Sequence, residues 1–160
     1  LEAVKAAIFL EDVFHVVLRE EQIDPDLPVP AYAYVGDAGV DLRATCDDIL
    51  KPFERKLVPC GIAVAIPSGY AGFVLPRSGL AIKHGVSLVN APGLIDSNYR
   101  GEIQAILVNL DPQSEFAIKR GDRIAQLVVM RVPDAAFDVC AELPDTERGA
   151  GGFGSSGVSL

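Results

Sequence analysis

The chain has 160 residues, of which 49% are hydrophobic, and its 14 basic and 22 acidic residues give a net charge of −8. This length suits one domain with a substantial core, and this hydrophobic fraction excludes wholesale disorder. The negative charge predicts no nucleic-acid partner, because binding a phosphate backbone requires clustered Lys and Arg. A small phosphorylated ligand stays compatible with the charge, provided that a few positive groups are gathered locally.

Cysteine and histidine usage excludes several kinds of site. Cys46, Cys60 and Cys140 are odd in number and widely spaced, so neither a disulfide framework nor a zinc ribbon is predicted, and a reducing, cytoplasmic compartment is expected. The only histidines, His15 and His84, are far apart and predict neither a zinc cluster nor a histidine-based triad.

The chain carries no recognisable membrane or export signal. No apolar run approaches the ~18 residues that a membrane span requires, so we expect no membrane partner. Residues 1–13 have too short an apolar centre for a signal peptide, and we interpret them as an N-terminal extension of unknown role.

The order of apolar segments predicts mainly short strands. Gly and Pro make up 26 of the 160 residues and bound most apolar runs, which favours strands over helices. One short helix is predicted, over residues 78–83. We therefore expect residues 14–145 to form an all-β domain, either a sandwich or a barrel. The predicted strands are residues 14–18, 39–44, 62–66, 71–75, 86–89, 103–110, 116–118, 124–132 and 137–139.

Residues 89–102 lie between two apolar runs and are rich in Gly, Pro, Asn and Asp, which predicts a β-hairpin with a long polar tip. The tip carries one carboxylate, Asp96, and one aromatic ring, Tyr99. Spacing alone leaves two interpretations of Asp96 open. It is either a functional carboxylate or an ordinary turn residue that caps its own loop.

The C-terminal arm, residues 146–160, is rich in glycine, and composition alone is typical of a flexible tail. Gly149, Gly151 and Gly154 have the spacing of a dinucleotide-binding loop, but no helix can follow so near the chain end. The P-loop spacing also fails, because Ser155 stands where that motif needs Lys. What remains is a flexible arm with one Arg, one Phe and two adjacent hydroxyl groups, which suit a triphosphate and a base. Glycine lets backbone N–H groups approach phosphate oxygens closely.

Five segments resemble, in order, the five motifs of the trimeric dUTP pyrophosphatase family. The third, Gly-Leu-Ile-Asp-Ser-Asn-Tyr-Arg-Gly-Glu, contains most of the predicted hairpin tip, and the fifth lies in the glycine-rich arm. One such motif is a weak signal, whereas five in order at family-like separations are specific. The segments are residues 38–42, 76–81, 93–102, 121–127 and 148–157.

The resemblance implies a distorted jelly-roll fold with a flexible arm, and a homotrimer with shared active sites. It implies Mg²⁺-dependent hydrolysis of dUTP to dUMP and pyrophosphate by attack of water on the α-phosphorus. That activity keeps uracil out of DNA and supplies dUMP for dTMP synthesis. Asp96 matches the family's general base, a role suited to a carboxylate that is ionised at neutral pH. Asp41 matches a carboxylate that contacts Mg²⁺ through water.

The same resemblance assigns phosphate binding to a loop and to the arm. Arg77 offers a planar fork matched to phosphate oxygens, Ser78 a hydroxyl group, and Gly79 close backbone approach. The arm residues that match contacts to the substrate are Arg148, Phe153, Gly154, Ser155 and Ser156.

The fourth segment is expected to contribute one ligand. Gln126 matches an amide that contacts phosphate or water. We interpret Arg123 as structural, paired with Asp122 or with another loop.

The resemblance assigns selection of the base and of the sugar to the hairpin. In the family, the side chain matching Asn90 and the backbone matching residues 93–95 (Gly93, Leu94 and Ile95) pair with uracil much as adenine does. Tyr99 matches the ring that lies under the deoxyribose and excludes a 2′-hydroxyl group. Phe153 matches the ring that closes over uracil.

Two rival functions fit the sequence less well. dCTP deaminase is similar in fold and motifs, but it would require a carboxylate near Ile106, where this chain has only apolar residues. A non-catalytic nucleotide sensor or protein-binding module would not need Asp96 together with Arg77, Gln126 and Arg148.

Overall fold

The computed structural model, which describes residues 15–20, 24–155 and 157, is an antiparallel β-sandwich. Its elements are β1 (Val17–Leu18), β2 (Val40–Arg43), β3 (Asp48–Leu50), β4 (Arg55–Ala65), β5 (Tyr70–Leu75), α1 (Ser78–His84), β6 (Val86–Leu88), β7 (Gly93–Ile95), β8 (Glu102–Asn109), β9 (Phe116–Ile118) and β10 (Arg123–Arg131). One sheet has the order β1-β4-β8-β6, the other β2-β10-β5-β7, and β3 pairs with β9 alone. The sheets do not close, so the predicted sandwich is confirmed and the barrel is wrong.

The core lies between the two large sheets. Along β8, every second side chain is buried, and Ile103, Ala105 and Leu107 are among them. They share one apolar cluster with Leu42 of β2 and Val74 of β5 in the opposite sheet. This alternation is typical of an antiparallel sheet with one covered face.

Several predicted elements are confirmed. Helix α1 begins at the predicted residue, and β6 pairs with the end of β8 as the predicted hairpin requires. Strand β1 covers two residues of the predicted first strand, whereas Phe14 and residues 1–13 lie outside the described residues. Within the described part of the chain, no helix is long and apolar enough to cross a membrane.

Strand β4 is twice as long as predicted. The sequence predicts only residues 62–66, because Gly61 bounds that apolar run. Pro59 pairs with Gln104, and the register then shifts before Ala63, so the proline lies beside a bulge where the ladder is already interrupted. Gly61 occupies the bulge at φ +66°, where an added Cβ would lie 2.6 Å from Thr45 Cγ2.

Other predictions need correction. Residues 137–139 form no strand, and Phe137 and Val139 are 94% and 102% exposed, because no strand in the described part of the chain pairs with them. Strand β3 was not predicted, since its acidic start masks a short apolar run. Strand β7 lies inside the hairpin tip, where three residues pair with β5.

Asn109 is the one fully buried polar side chain found among the described residues. Its Nδ2 donates to the carbonyl oxygens of Leu50 at 3.0 Å and Ser114 at 2.8 Å, and its Oδ1 accepts from the Asp111 N–H at 2.9 Å. The amide therefore ties the end of β8 to two loops, with each of its polar atoms satisfied.

Asn109→Ala should lower the free energy of unfolding by about 2–4 kcal/mol, because it leaves two carbonyl groups and one N–H without their partner. Urea denaturation at fixed protein concentration measures this change. Gln104→Ala is the matched control, since Gln104 is an exposed amide of the same strand. Equal losses in the two variants would contradict this role of Asn109.

Candidate active site

Three of the sequence motifs meet at one end of the β2-β10-β5-β7 sheet. Gln126 of β10 is the register partner of Asp41 on one side and of Leu75 on the other. The chain leaves β5 after Leu75 and passes through Pro76 and Arg77 into α1. The β10 register therefore brings residues that are far apart in sequence into one row.

Asp41, Arg77, Arg123 and Gln126 form a connected group, which we call the arginine cluster. Asp41 Oδ1 lies 2.8 Å from Arg77 Nε, and Asp41 Oδ2 lies 3.3 Å from Arg123 Nη1. Arg77 Nη1 also donates to the Arg123 carbonyl at 3.0 Å, and Gln126 Nε2 donates to the Pro76 carbonyl at 3.0 Å. The sequence assigned Arg77 and Gln126 to the substrate, Asp41 to Mg²⁺ through water and Arg123 to a structural role, and the fold joins all four.

The partner predicted for Arg123 needs refinement. Arg123 pairs with Asp41 on the neighbouring strand, whereas the Asp122 carboxylate accepts from the Lys119 N–H at 2.8 Å. Adjacent side chains of a strand point to opposite faces, so Asp122 and Arg123 cannot easily share one contact.

The cluster borders open space. A cleft of about 400 Å³ is lined by Asp37, Asp41, Gln126 and Val128, among others. Ser78 and Gly79 begin α1 and are both exposed. A Cβ added at Gly79 would meet nothing within 4 Å, so the protein's own packing does not demand glycine there.

The hairpin tip presents a free backbone edge. Strand β7 is the last strand of its sheet and pairs with β5 only, so its other edge is unpaired in the described chain. Gly93 is buried, and a Cβ there would lie 3.2 Å from Asn90 Nδ2 and 3.3 Å from Val74 Cβ. Asn90 therefore lies against the start of the free edge.

Asp96 follows β7 directly and is exposed. The turn after it is closed by its backbone carbonyl, which accepts from the Tyr99 N–H at 3.1 Å. Its carboxylate has no hydrogen bond or ion pair with any residue that the structure describes. The alternative in which the Asp96 side chain caps its own loop is therefore wrong.

Tyr99 is held against its own hairpin. Its hydroxyl group donates to the Glu102 carbonyl at 3.0 Å, and a Cβ at Gly101 would lie 2.6 Å from Tyr99 Cζ. Glycine at position 101 is required for the ring to pack there. Arg100 Nη1 donates to the carbonyls of Ser97 and Tyr99, each at 2.7 Å, and completes the turn.

Sequence reasoning missed Glu102 as a structural anchor. Glu102 Oε1 accepts from the N–H of Gly61, at 2.8 Å, so the hairpin is fixed to the bulge of β4. The sequence carries no sign of this bond, because it depends on the register between β4 and β8.

The hairpin and the arginine cluster lie apart within one chain. Asp96 is three strands across from Asp41 and about four residues further along the sheet direction. Strand spacing and rise then give a separation of roughly 20 Å. The structure thus brings Asp41, Arg77 and Gln126 together but leaves Asn90, Asp96 and Tyr99 in a second group.

The described residues of the arm make no hydrogen bond or ion pair with either group. Their turns are internal: Arg148 Nε donates to the Gly151 carbonyl at 2.6 Å, and the Ser155 N–H donates to the Gly152 carbonyl at 3.0 Å. Phe153 is 113% exposed. Gly154 lies in the same exposed turn, and Ser156 lies outside the described residues.

Neither the buried thiol of Cys60 nor a preformed metal cage among the described residues supplies an alternative chemistry. Burial raises the pKa of Cys60 to about 12, which leaves the thiol protonated and unreactive at neutral pH. The described residues contain no group of three His, Cys, Asp or Glu side chains arranged to hold a metal ion. Asp41 is the carboxylate in the arginine cluster.

The comparisons with known proteins agree with the motifs. The dUTPase family profile matches residues 26–157. The deoxyuridine 5′-triphosphate nucleotidohydrolase of Streptomyces avermitilis is 57% identical over 143 residues, which are 89% of this chain and 81% of that protein. The enzyme of the same name from Rhodococcus erythropolis is 54% identical over 89% of this chain and 87% of its own length.

A solved structure agrees in fold. The G164S mutant of the Staphylococcus bacteriophage 80alpha dUTPase, with dUpNHpp, is similar to the chain at a TM-score of 0.83 and 25% identity. The alignment covers 91% of this chain and 100% of the phage protein. The motifs, the sandwich and these relatives lead to one conclusion: the chain belongs to the dUTPase family.

Proposed function

We propose that this dUTP nucleotidohydrolase cleaves dUTP to dUMP and pyrophosphate with Asp96 as the general base. The observation that carries the proposal is the free carboxylate of Asp96, exposed directly after the edge strand β7. An ionised carboxylate without a competing partner can orient a water molecule and take its proton. The water oxygen then bonds to the α-phosphorus as the bond to the pyrophosphate oxygen breaks.

The free edge of β7 suits recognition of a base. Backbone groups of Gly93, Leu94 and Ile95 offer donors and acceptors in fixed positions, and Asn90 adds an amide beside them. A site built from such groups rejects a mismatched base strongly, because a buried polar group left unpaired costs free energy. A cytosine deaminase would need a further acid, and the residue at 106 is isoleucine.

Sugar selection is assigned to Tyr99. Its ring is packed on Gly101 and tethered through its hydroxyl group, so it forms a fixed surface. A ring that cannot retreat leaves no room for a ribose 2′-hydroxyl group against it. This assignment rests on the resemblance for the position of the sugar and on these contacts for the rigidity of the ring.

Phosphate binding is assigned to the start of α1 and to the arm. Arg77, Ser78 and Gly79 lie just after the inner strand β5, at the end of the sheet, with open space over Gly79. The arm, residues 146–160, is proposed to close over the bound nucleotide. Its contributing residues are Arg148, Phe153, Gly154, Ser155 and Ser156.

The residues present suit Mg²⁺ that arrives with the substrate. Mg²⁺ keeps several waters and takes its other ligands from one or two carboxylates and from substrate phosphates. Two carboxylates, Asp37 and Asp41, border the cleft, and the described residues form no group of three ligands, which fits contact through water better than a protein-built cage. When bound, the ion would neutralise charge on the triphosphate.

The separation of the two groups supports the homotrimer that the resemblance implies. General-base and phosphate contacts must act on one triphosphate, yet Asp96 and Asp41 lie roughly 20 Å apart in a single chain. A neighbouring copy can supply the missing half of each site. The exposed apolar side chains of Phe137, Val139 and Leu143 are suited to burial in such an assembly.

We further propose a cytoplasmic role in which removal of dUTP keeps uracil out of DNA and provides dUMP for dTMP synthesis. All three cysteines are free, and two of them, Cys46 and Cys140, are exposed. Unpaired exposed thiols are compatible with a reducing compartment.

Asp96→Asn should abolish turnover while leaving nucleotide binding nearly unchanged, because the amide keeps the shape but cannot take a proton. The expected loss of kcat is at least ~10²–10⁴-fold. Pyrophosphate release from dUTP measures it, and calorimetry with a non-hydrolysable dUTP analogue checks binding. Near-normal turnover in the variant would move the role of base to another residue.

Mixing two inactive variants should restore activity if each site is shared between copies. Asp96→Asn and Arg77→Ala trimers, unfolded together at equal amounts and refolded, should regain about one quarter of wild-type activity, since random assembly gives that share of sites two intact halves. Each variant refolded alone is the control. No recovery in the mixture would place both halves in one chain.

Gly79→Ala should separate stability from substrate binding. Alanine in the helix should raise the free energy of unfolding by about 0.5–1 kcal/mol, because it meets no neighbour and reduces the entropy of the unfolded chain. The added methyl group should weaken binding of the triphosphate analogue. Thermal denaturation and calorimetry on the same preparation measure both effects, and unchanged affinity would remove Gly79 from the phosphate site.

A further inference from the structure

Both edges of the Arg77 guanidinium group are engaged by contacts within the chain. A guanidinium group presents two edges that can bind a phosphate with two hydrogen bonds, one containing Nε and one containing both Nη atoms. Nε pairs with Asp41 Oδ1 at 2.8 Å, and Nη1 donates to the Arg123 carbonyl at 3.0 Å. Each edge therefore has one nitrogen engaged, and neither can bind phosphate fully without breaking a contact.

Asp41 occupies the position of an anion between two arginines. Its two oxygens bind Arg77 and Arg123 separately, as two oxygens of a phosphate group could. The Asp41 and Arg77 side chains are each 26% exposed, so solvent and solutes reach the pair from the adjoining cleft.

Displacing Asp41 from Arg77 leaves the carboxylate with the longer contact to Arg123, at 3.3 Å, whose side chain is 49% exposed. A phosphate that binds Arg77 leaves the released Asp41 carboxylate facing that phosphate, and like charges at short range repel. The described residues offer no group of three ligands that could hold a cation beforehand. A divalent cation that compensates the released carboxylate would therefore arrive on the phosphates themselves.

We infer that Asp41 is an internal substitute for phosphate that keeps the Arg77 guanidinium group occupied. A triphosphate therefore binds Arg77 only when it brings a divalent cation for the released Asp41 carboxylate. Asp41 is thus a specificity-determining residue for the metal-bound form of the substrate. The inference rests on the proposed function, which assigns Arg77 to phosphate binding.

The test compares Asp41→Asn with Asp37→Asn in the full-length protein. Asp37 lines the same cleft, but its carboxylate accepts from the Tyr34 N–H and contacts no arginine in the described chain. Both variants remove one negative charge from the cleft, and only Asp41→Asn weakens the hold on Arg77. The probe is inorganic tripolyphosphate, whose binding does not depend on recognition of uracil, measured by calorimetry with and without Mg²⁺.

Asp41→Asn should bind metal-free tripolyphosphate at least about fivefold more tightly than wild type. A fivefold change in affinity is about what the loss of one partly exposed ion pair is worth. The gain in affinity on adding Mg²⁺ should shrink correspondingly. Asp37→Asn should change both quantities by less than about twofold, as expected for a screened charge. Unchanged or weaker metal-free binding in Asp41→Asn, or equal gains in the two variants, would overturn the inference.

A second measurement keeps the inference testable if Asp41→Asn does not fold. In wild-type protein labelled with ¹⁵N-arginine, the Arg77 Nε–H resonance should move on adding tripolyphosphate with Mg²⁺ and stay unmoved without Mg²⁺. A shift of equal size without Mg²⁺ would contradict it. Turnover of dUTP by the same preparation tests the proposed function separately, since neither binding experiment depends on it.

Discussion

The register of β10 against its two neighbours is the constraint on which the rest of the site depends. Because Gln126 is opposite both Asp41 and Leu75, one strand fixes the first, second and fourth motifs relative to each other. A slip of one residue would turn Gln126 to the other face of the sheet and bury a polar amide. The buried Ile124 and Leu127 of the same strand hold the register, so the core determines the geometry of the cluster.

The separation of Asp96, the proposed base, from the two arginines has a chemical consequence. Within the cluster, the Asp41 carboxylate is bound by two guanidinium groups. A carboxylate in that surrounding has its lone pairs occupied, which is unsuited to accepting a proton from water. Asp96, on a hairpin anchored through Glu102 to the bulge of β4, keeps its carboxylate free. The division of the site between two parts of the fold lets one protein hold a paired and a free carboxylate.

Periodicity and turn residues in the sequence correctly predicted the elements that depend only on neighbouring residues. Helix α1, the paired strands β6 and β8, and the alternating burial of β8 follow from periodicity and turn residues. The motifs also identified Asp41, Arg77 and Gln126, which the fold does bring together. The full length of β4 was missed because Pro59 is tolerated only beside a bulge, and the bulge depends on pairing with β8. The pairing of Arg123 with Asp41 and the anchor at Glu102 likewise depend on register, which no single segment encodes.

The strand predicted at residues 137–139 is wrong, and its apolar pattern is suited to contact with another copy of the chain. Its apolar alternation is real, but β10 ends at Arg131 and no strand edge of the described chain receives the segment. Phe137, Val139 and, further along, Phe153 remain almost fully exposed. Leaving three such side chains in water is unfavourable, at about 25 cal/mol for each Å² that a partner could cover. The exposed segment that carries Phe137 and Val139 continues into the arm. In the proposed trimer, a neighbouring copy that covers this segment therefore also receives Arg148 and Phe153 at its site. Assembly and closure over substrate are then two consequences of the same unpaired segment.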